Sequence, residues 1–484
     1  MDVKIKTRYG TVVGYESKGI RIFKGIPYVE PPIGELRFCE PREVEPWEGE
    51  RQAKKFGAVC PQVMSIVPLG RQSEDCLYLN IFAPKTEGKK PVLVFIHGGA
   101  YVLGAGSQTV YHGAAIAEKD VVFVTFNYRL GAVGMMDYSF LDGAFASNIA
   151  LKDQAAALKW VNENIEAFGG DKSDVTLMGQ SAGAISVVAL LNVPSVRGYF
   201  KKAIALSAFP DMIKSKEESA VYAREFCEYA EIETKEDLLA WDSVELSKAL
   251  KRFLDTKPRR LGLDYVMPCA DGEFLPQKPL KVVGGENGNH IPLLMGYTKE
   301  ELNVLFSLPV RRIRSMSGTE TDLLFRTASE SGEPLEELYS PKSGRALLMR
   351  DWLIRVPSER YAEGNGKYAP TWIYRFDYSP AALKLIGVKA VHAIDLVFIF
   401  KAFKNIIADG MLVFSPFRKD IYALADRMRD TIVDFAKSSR CEWEQFNENG
   451  ALKIFDATAD RVETGGIERK ELLEKLRERL ESDN

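Results

Sequence analysis

Apolar residues along the chain gather into runs of strand length, separated by stretches with helical spacing. Leu77 to Phe82, Pro91 to Ile96, Val121 to Asn127, Val175 to Met178, Ala203 to Leu206 and Ile291 to Met295 are rich in Val, Ile, Leu and Phe. Such near-continuous runs lack the alternation of a half-exposed strand. They predict strands covered on both faces, as in a largely parallel sheet. Between them, Ala150 to Phe168 carries Ala157, Leu158, Val161 and Ile165 at helical spacing and stops at Gly169-Gly170, a helix with its terminator. This alternation predicts a doubly wound α/β fold.

The flanks read differently. Val3 to Tyr15 and Ile20 to Tyr28 predict short strands and turns, ended by Pro31-Pro32. The stretches around 210–290 and 303–360 are more helical and irregular, as insertions capping a sheet would be. Ile467 to Leu480 places Leu472, Leu473, Leu476 and Leu480 among charges, the pattern of an amphipathic helix docked on the body. No repeat or low-complexity stretch interrupts the chain. Its 484 residues would by length allow about three domains. Because α/β enzymes grow by insertion around one sheet, a single unit over 1–484 is expected.

Composition narrows the function. With 46% hydrophobic residues, the chain can bury a large core. Its 64 basic and 67 acidic residues leave a net charge of −3, which argues against nucleic acid or an anionic membrane as a partner. No apolar run is long enough to span a bilayer, and no signal peptide is visible at the start. The six cysteines are sparse and form no CxxC pair, so neither a disulfide scaffold nor a metal site is expected, and the cytoplasm is the expected location. Nothing in the sequence speaks to oligomeric state.

Candidate chemistry centres on Asp174-Val175-Thr176-Leu177-Met178-Gly179-Gln180-Ser181-Ala182-Gly183. A short apolar strand runs into Gly-x-Ser-x-Gly, and a helix begins at once. That context presents a serine hydroxyl on a sharp turn above a sheet. A hydroxyl is a weak nucleophile until a base takes its proton, so Ser181 needs a histidine. The chain has four: His97, His112, His290 and His392. Hydrolases with this elbow run nucleophile, acid, histidine along the chain, which excludes His97 and His112. His290 stands at the entry end of its strand, whereas catalytic groups collect at the carboxyl end of a parallel sheet. His392 remains. The acid that orients it should follow a strand, and Gly296-Tyr297-Thr298-Lys299-Glu300-Glu301 offers Glu300 and Glu301 equally.

Ile96-His97-Gly98-Gly99-Ala100-Tyr101 follows a strong strand. Its small residues leave backbone N–H groups free to face a developing oxyanion. His97 is expected to hold that loop in shape. The glycine spacing fits neither GxGxxG nor GxxxxGK[ST], so no nucleotide site is expected.

Together these segments resemble the type-B carboxylesterase/cholinesterase family of α/β-hydrolases, in particular its bacterial carboxylesterases. The likeness extends through Phe23-Lys24-Gly25-Ile26-Pro27-Tyr28, Leu36-Arg37-Phe38, Ser73-Glu74-Asp75-Cys76-Leu77-Tyr78-Leu79-Asn80, Phe126-Asn127-Tyr128-Arg129, Leu151-Lys152-Asp153-Gln154 and Phe168-Gly169-Gly170-Asp171. The resemblance implies Ser181 as nucleophile, Glu301 as acid and His392 as base, with an oxyanion hole from the N–H groups of Gly99, Ala100 and Ala182. It implies Ser207 near the acid; Gln180, beside the nucleophile, is a further candidate supporting residue. It also implies scaffold ion pairs between Arg37 and Glu74 and between Arg129 and Asp171.

Two departures refine this. Cholinesterases usually carry Glu before the nucleophile, where Gln180 is neutral. The segment between Cys60 and Cys76 also lacks the Trp that binds a quaternary ammonium. Cys60 and Cys76 match a family disulfide pair, but without a secretory signal free thiols are expected. The expected activity is cofactor-free hydrolysis of neutral short- to medium-chain carboxylic esters, small molecules, through an acyl-enzyme. Activity should fall below roughly pH 6.5 as His392 is protonated. The alternatives are a lipase on long-chain glycerides and a non-catalytic interaction protein.

Overall fold

Seven strands run parallel through the middle of a large sheet. The computed structural model describes the chain apart from residues 64–68, 258–259, 287, 304–310, 342–343, 404–417, 448–449, 465–466 and 483–484. Its strands are β1 (Asp2–Lys6), β2 (Thr11–Ser17), β3 (Ile20–Pro27), β4 (Glu50–Gln52), β5 (Tyr78–Pro84), β6 (Lys90–Ile96), β7 (Val122–Phe126), β8 (Gly170–Gln180), β9 (Lys202–Leu206), β10 (Lys214–Ser215), β11 (Cys269–Ala270), β12 (Leu293–Thr298), β13 (Thr371–Phe376), β14 (Leu452–Phe455) and β15 (Arg461–Glu463). The main sheet has the order β1-β2-β3-β5-β7-β6-β8-β9-β12-β13-β14-β15, with β4 on β2. From β7 to β14 every pairing is parallel. The N-terminal strands β1, β2, β3 and β5 and the edge strand β15 pair antiparallel, while β4 joins β2 in parallel.

The apolar runs read from the sequence are these central strands, and their burial explains the pattern. In β6, Val92, Val94 and Ile96 enter the core on one face, while Leu93 and Phe95 enter a second core on the other. Neither face meets water, so no polar alternation survives. The helix predicted over Ala150 to Phe168 is observed as Ile149–Asn164 followed by a 3-10 turn, Ile165–Phe168, capped by Gly169 at φ 87°. The stretches around 210–290 and 303–360 include helices Lys216–Tyr229, Ser243–Leu254 and Arg345–Arg350. At the C-terminus, helix Ile467–Ser482 buries Leu472, Leu473 and Leu476 against Leu324, Phe325, Tyr339 and Trp352, as its spacing predicts. Cys60 and Cys76 are buried thiols.

One expected ion pair is corrected. Arg37 does reach Glu74, at 2.8 Å, but Arg129 does not pair with Asp171. Its guanidinium donates to both carboxylate oxygens of Asp153, at 2.8 and 2.7 Å, and its backbone N–H donates to the same group at 3.0 Å. The reason is strand direction. Arg129 follows the carboxyl end of β7, whereas Asp171 opens β8, and the two strands run parallel on either side of β6. The sheet therefore holds them at opposite ends, and Asp171 instead caps Ser173.

The topology also fixes where a site can form. From β6 the chain passes to β7 on one side, then crosses to β8 on the other. A crevice opens beyond the carboxyl ends of strands at such a reversal. Ile96 pairs with Gly179 in register, so the loop after β6 and the turn after β8 lie side by side.

Candidate active site

Ser181 stands at the junction of β8 and helix Ala182–Leu190, with φ 56° and ψ −122°. A non-glycine residue seldom adopts that geometry, and surrounding contacts must enforce it. Its N–H donates to Leu206 O at 2.8 Å. The turn is too tight for side chains on the motif's glycines. A Cβ on Gly179 would meet Gly183 O at 2.1 Å, and one on Gly183 would meet Ile96 O at the same distance.

Opposite lies the loop after β6. Val102 and Leu103 both donate their N–H to Gly99 O at 3.0 Å, and positive φ at Gly99, Ala100 and Tyr101 bends it sharply. The N–H groups of Gly99, Ala100 and Ala182 find no acceptor among the described residues, and all three residues line the same cavity as Ser181. His97 sits behind this loop, as expected. Its Nδ1 is 2.8 Å from Gly98 O, and its ring stacks on Tyr128 at 4.4 Å. Burial pushes its pKa down to about 4, opposed by the Gly98 bond, so it is neutral at physiological pH.

Beyond β12, the loop 299–301 brings the acid. Glu301 is fully buried. Its Oε1 accepts from Ser207 Oγ and from the Thr298 N–H, both at 2.6 Å, and its Oε2 lies 2.5 Å from His392 Nδ1. The structure thus pairs Glu301, not Glu300, with His392. Glu300 fastens the other chain segment: its N–H donates to Ala390 O at 3.0 Å, and its Oε2 accepts from the Ala390 N–H at 3.2 Å. Burial disfavours a charge on His392, but the Glu301 charge and hydrogen bond outweigh it, with Asp395 adding, and hold the imidazole above its ordinary pKa.

One contact and one residue add to what the sequence predicts. Gln180 reaches across the turn, and its Nε2 is 3.1 Å from His392 Nε2. No hydrogen bond links Ser181 Oγ to that nitrogen among the described residues. Asp395, three residues past His392, is buried and accepts from Tyr374 Oη at 2.9 Å. Burial, followed by the Glu301 charge, pushes its pKa up to about 6. Its signal was an acid opening the otherwise apolar helix Ile394–Ile399. His290 stays apart, bonded to Val283 O and stacked on Tyr368.

Ser181, Gln180, Glu301 and His392 open on one cavity of about 430 Å³, within the range of small-ligand pockets. Leu103, Ile185, Phe209, Met212, Met349 and Leu353 make its wall largely apolar. Among the described residues, no group of His, Cys, Asp and Glu is arranged to hold a metal ion, and no helix is long and apolar enough to cross a membrane.

The carboxylesterase family model matches residues 1–465. The chain is 37% identical to the para-nitrobenzyl esterase of Bacillus subtilis (strain 168) over 454 residues, covering 92% of this chain and 91% of that protein. It is 33% identical to human carboxylesterase 5A over 427 residues, covering 79% and 71%. A solved para-nitrobenzyl esterase structure superposes with a TM-score of 0.86 at 35% identity, covering 97% of this chain and 99% of that one. These relatives favour neither the lipase nor the non-catalytic alternative. The chain belongs to the carboxylesterase family, carboxylic-ester hydrolases built on the α/β-hydrolase fold.

Proposed function

We propose that Ser181 is the nucleophile of a serine carboxylesterase, with His392 as its base, Glu301 as the orienting acid and the N–H groups of Gly99, Ala100 and Ala182 as the oxyanion hole. The observation that carries the reading is the 2.5 Å bond between buried Glu301 and His392 in the cavity that also exposes Ser181. In the first step His392 Nε2 takes the Ser181 proton as Oγ attacks the ester carbonyl carbon. The oxyanion forms against the three amide donors. Collapse expels the alkoxide, which takes the proton from His392 and leaves as alcohol. Water then attacks the acyl-enzyme, His392 again moving the proton, and the carboxylic acid departs. Glu301 holds the imidazole in place and stabilises the transient imidazolium. Gln180 yields its place at His392 Nε2 to Ser181 Oγ during attack.

The substrate class we propose is neutral, short- to medium-chain esters. Support comes from the apolar wall and from an uncharged Gln180 beside the base, where a cationic substrate would want a carboxylate. Para-nitrobenzyl esters, for which the bacterial relative is named, are apt probes. A cytoplasmic location and a single functional unit over 1–484 belong to the same proposal; sparse, unpaired cysteines support the location. Rates across p-nitrophenyl esters from acetate to palmitate test the class. A maximum between acetate and decanoate is expected; a maximum at palmitate, with a jump above its solubility limit, would refute it.

A further inference from the structure

A buried ion pair outside the triad is fastened to the loop that carries Glu301. Arg350 Nη1 donates to Lys299 O at 2.8 Å, while its Nε donates to Asp351 Oδ1 at 2.7 Å and its Nη2 to the same oxygen. Asp351 Oδ2 accepts from Tyr339 Oη at 2.8 Å. Arg350 is 5% exposed and Asp351 fully buried. Charges taken this far from water are costly unless paired, and packing alone is often served as well by apolar side chains of similar volume. The pair does something apolar packing would not: Asp351 grips one edge of the guanidinium, which leaves Nη1 aimed at one carbonyl, two residues before Glu301.

The backbone here is also unusual. Helix Arg345–Arg350 passes into a π-helical turn, Asp351–Arg355, before helix Val356–Gly366 begins. Such turns recur at functional sites. On either side of the ion pair, Met349 and Leu353 line the cavity. One segment therefore supplies part of the pocket wall and a clamp on the acid's loop.

We propose that Arg350 is a positioning residue for the triad acid: held by Asp351, it fixes the Lys299 carbonyl and so the turn that aims Glu301 at His392. This rests on the reading of Glu301 given above. The test is a cycle of four proteins assayed with p-nitrophenyl butyrate: the parent, the Arg350→Met/Asp351→Leu double variant, Glu301→Gln, and all three changes together. Asp351 also lies 3.6 Å from buried Arg355, but Arg355 keeps its 2.8 Å pair with Glu359, so removing both charges strands none in the core. The double variant should lose about tenfold or more in kcat with KM within about twofold, and should lose nothing further in the Glu301→Gln background, where no acid remains to be aimed. A parent-like kcat, or an equal loss in both backgrounds, would overturn the proposal. If Glu301→Gln alone kept parent activity, the triad reading itself would fail, a distinguishable result. Should the double variant not fold, Arg350→Lys takes its place in the same cycle: it keeps a charge against Asp351 but lacks the fork to hold both acceptors.

Discussion

Gln180 Nε2 stands 3.1 Å from His392 Nε2, so in the free protein a neutral amide, not the serine, occupies the nitrogen that must accept the proton. The position is buried, and a charge placed there would act on the imidazole at close range. His392 already sits above its ordinary pKa, so the acid limb of activity is expected above the pH of about 6.5 at which an unperturbed imidazole titrates. Gln180→Glu adds a negative charge that favours the imidazolium. The limb should therefore move to higher pH, by about one unit or more, with activity lost near neutrality and recovered in alkali. A pH–rate profile of kcat/KM reads this directly; an unmoved limb would contradict it.

Ser207 carries part of the acid's alignment. Its hydroxyl donates to Glu301 Oε1 at 2.6 Å in a site closed to water, and a hydrogen bond to a charged group is worth about 1.5–3 kcal/mol. Ser207→Ala should lower kcat by roughly 10- to 100-fold if that energy is lost from the working alignment, leaving KM nearly unchanged. Steady-state kinetics on a short ester decide it, and an unchanged kcat would mean that the Thr298 N–H suffices alone.

The Arg129 pairing separates scaffold from surface. Asp153→Ala strands a buried guanidinium and should cost about 3–5 kcal/mol of stability. Asp171→Ala removes only a local Ser173 cap and should stay within about 0.5 kcal/mol. Urea denaturation of the two variants distinguishes them, and the reverse ranking would restore the pairing that the family resemblance implied.

How much of this could be read from the chain follows from how local each feature is. Ser181 was legible because a strand, two glycines and a helix start sit within ten residues. His392 was reached by elimination among four histidines. Choosing between Glu300 and Glu301 needed the resemblance, because neighbouring side chains on a loop diverge: one turns under His392, the other ties Ala390. Asp153 was missed as the Arg129 partner because strand direction, a property of the whole sheet, decides that contact. The strands β13 and β14 also went unread. The first, Thr-Trp-Ile-Tyr-Arg-Phe, is apolar enough, but β14 is four residues long, and its place is set by the edge it extends. The Gln180–His392 contact joins residues 212 positions apart, which no local pattern encodes.

The most direct test of the proposed chemistry is labelling of the folded protein with a fluorophosphonate, which transfers its phosphonyl group to an activated serine and releases fluoride. Peptide mapping by mass spectrometry should place a single adduct on Ser181, with the labelling rate falling by orders of magnitude in His392→Ala. An adduct on another residue, or equal labelling without His392, would contradict it.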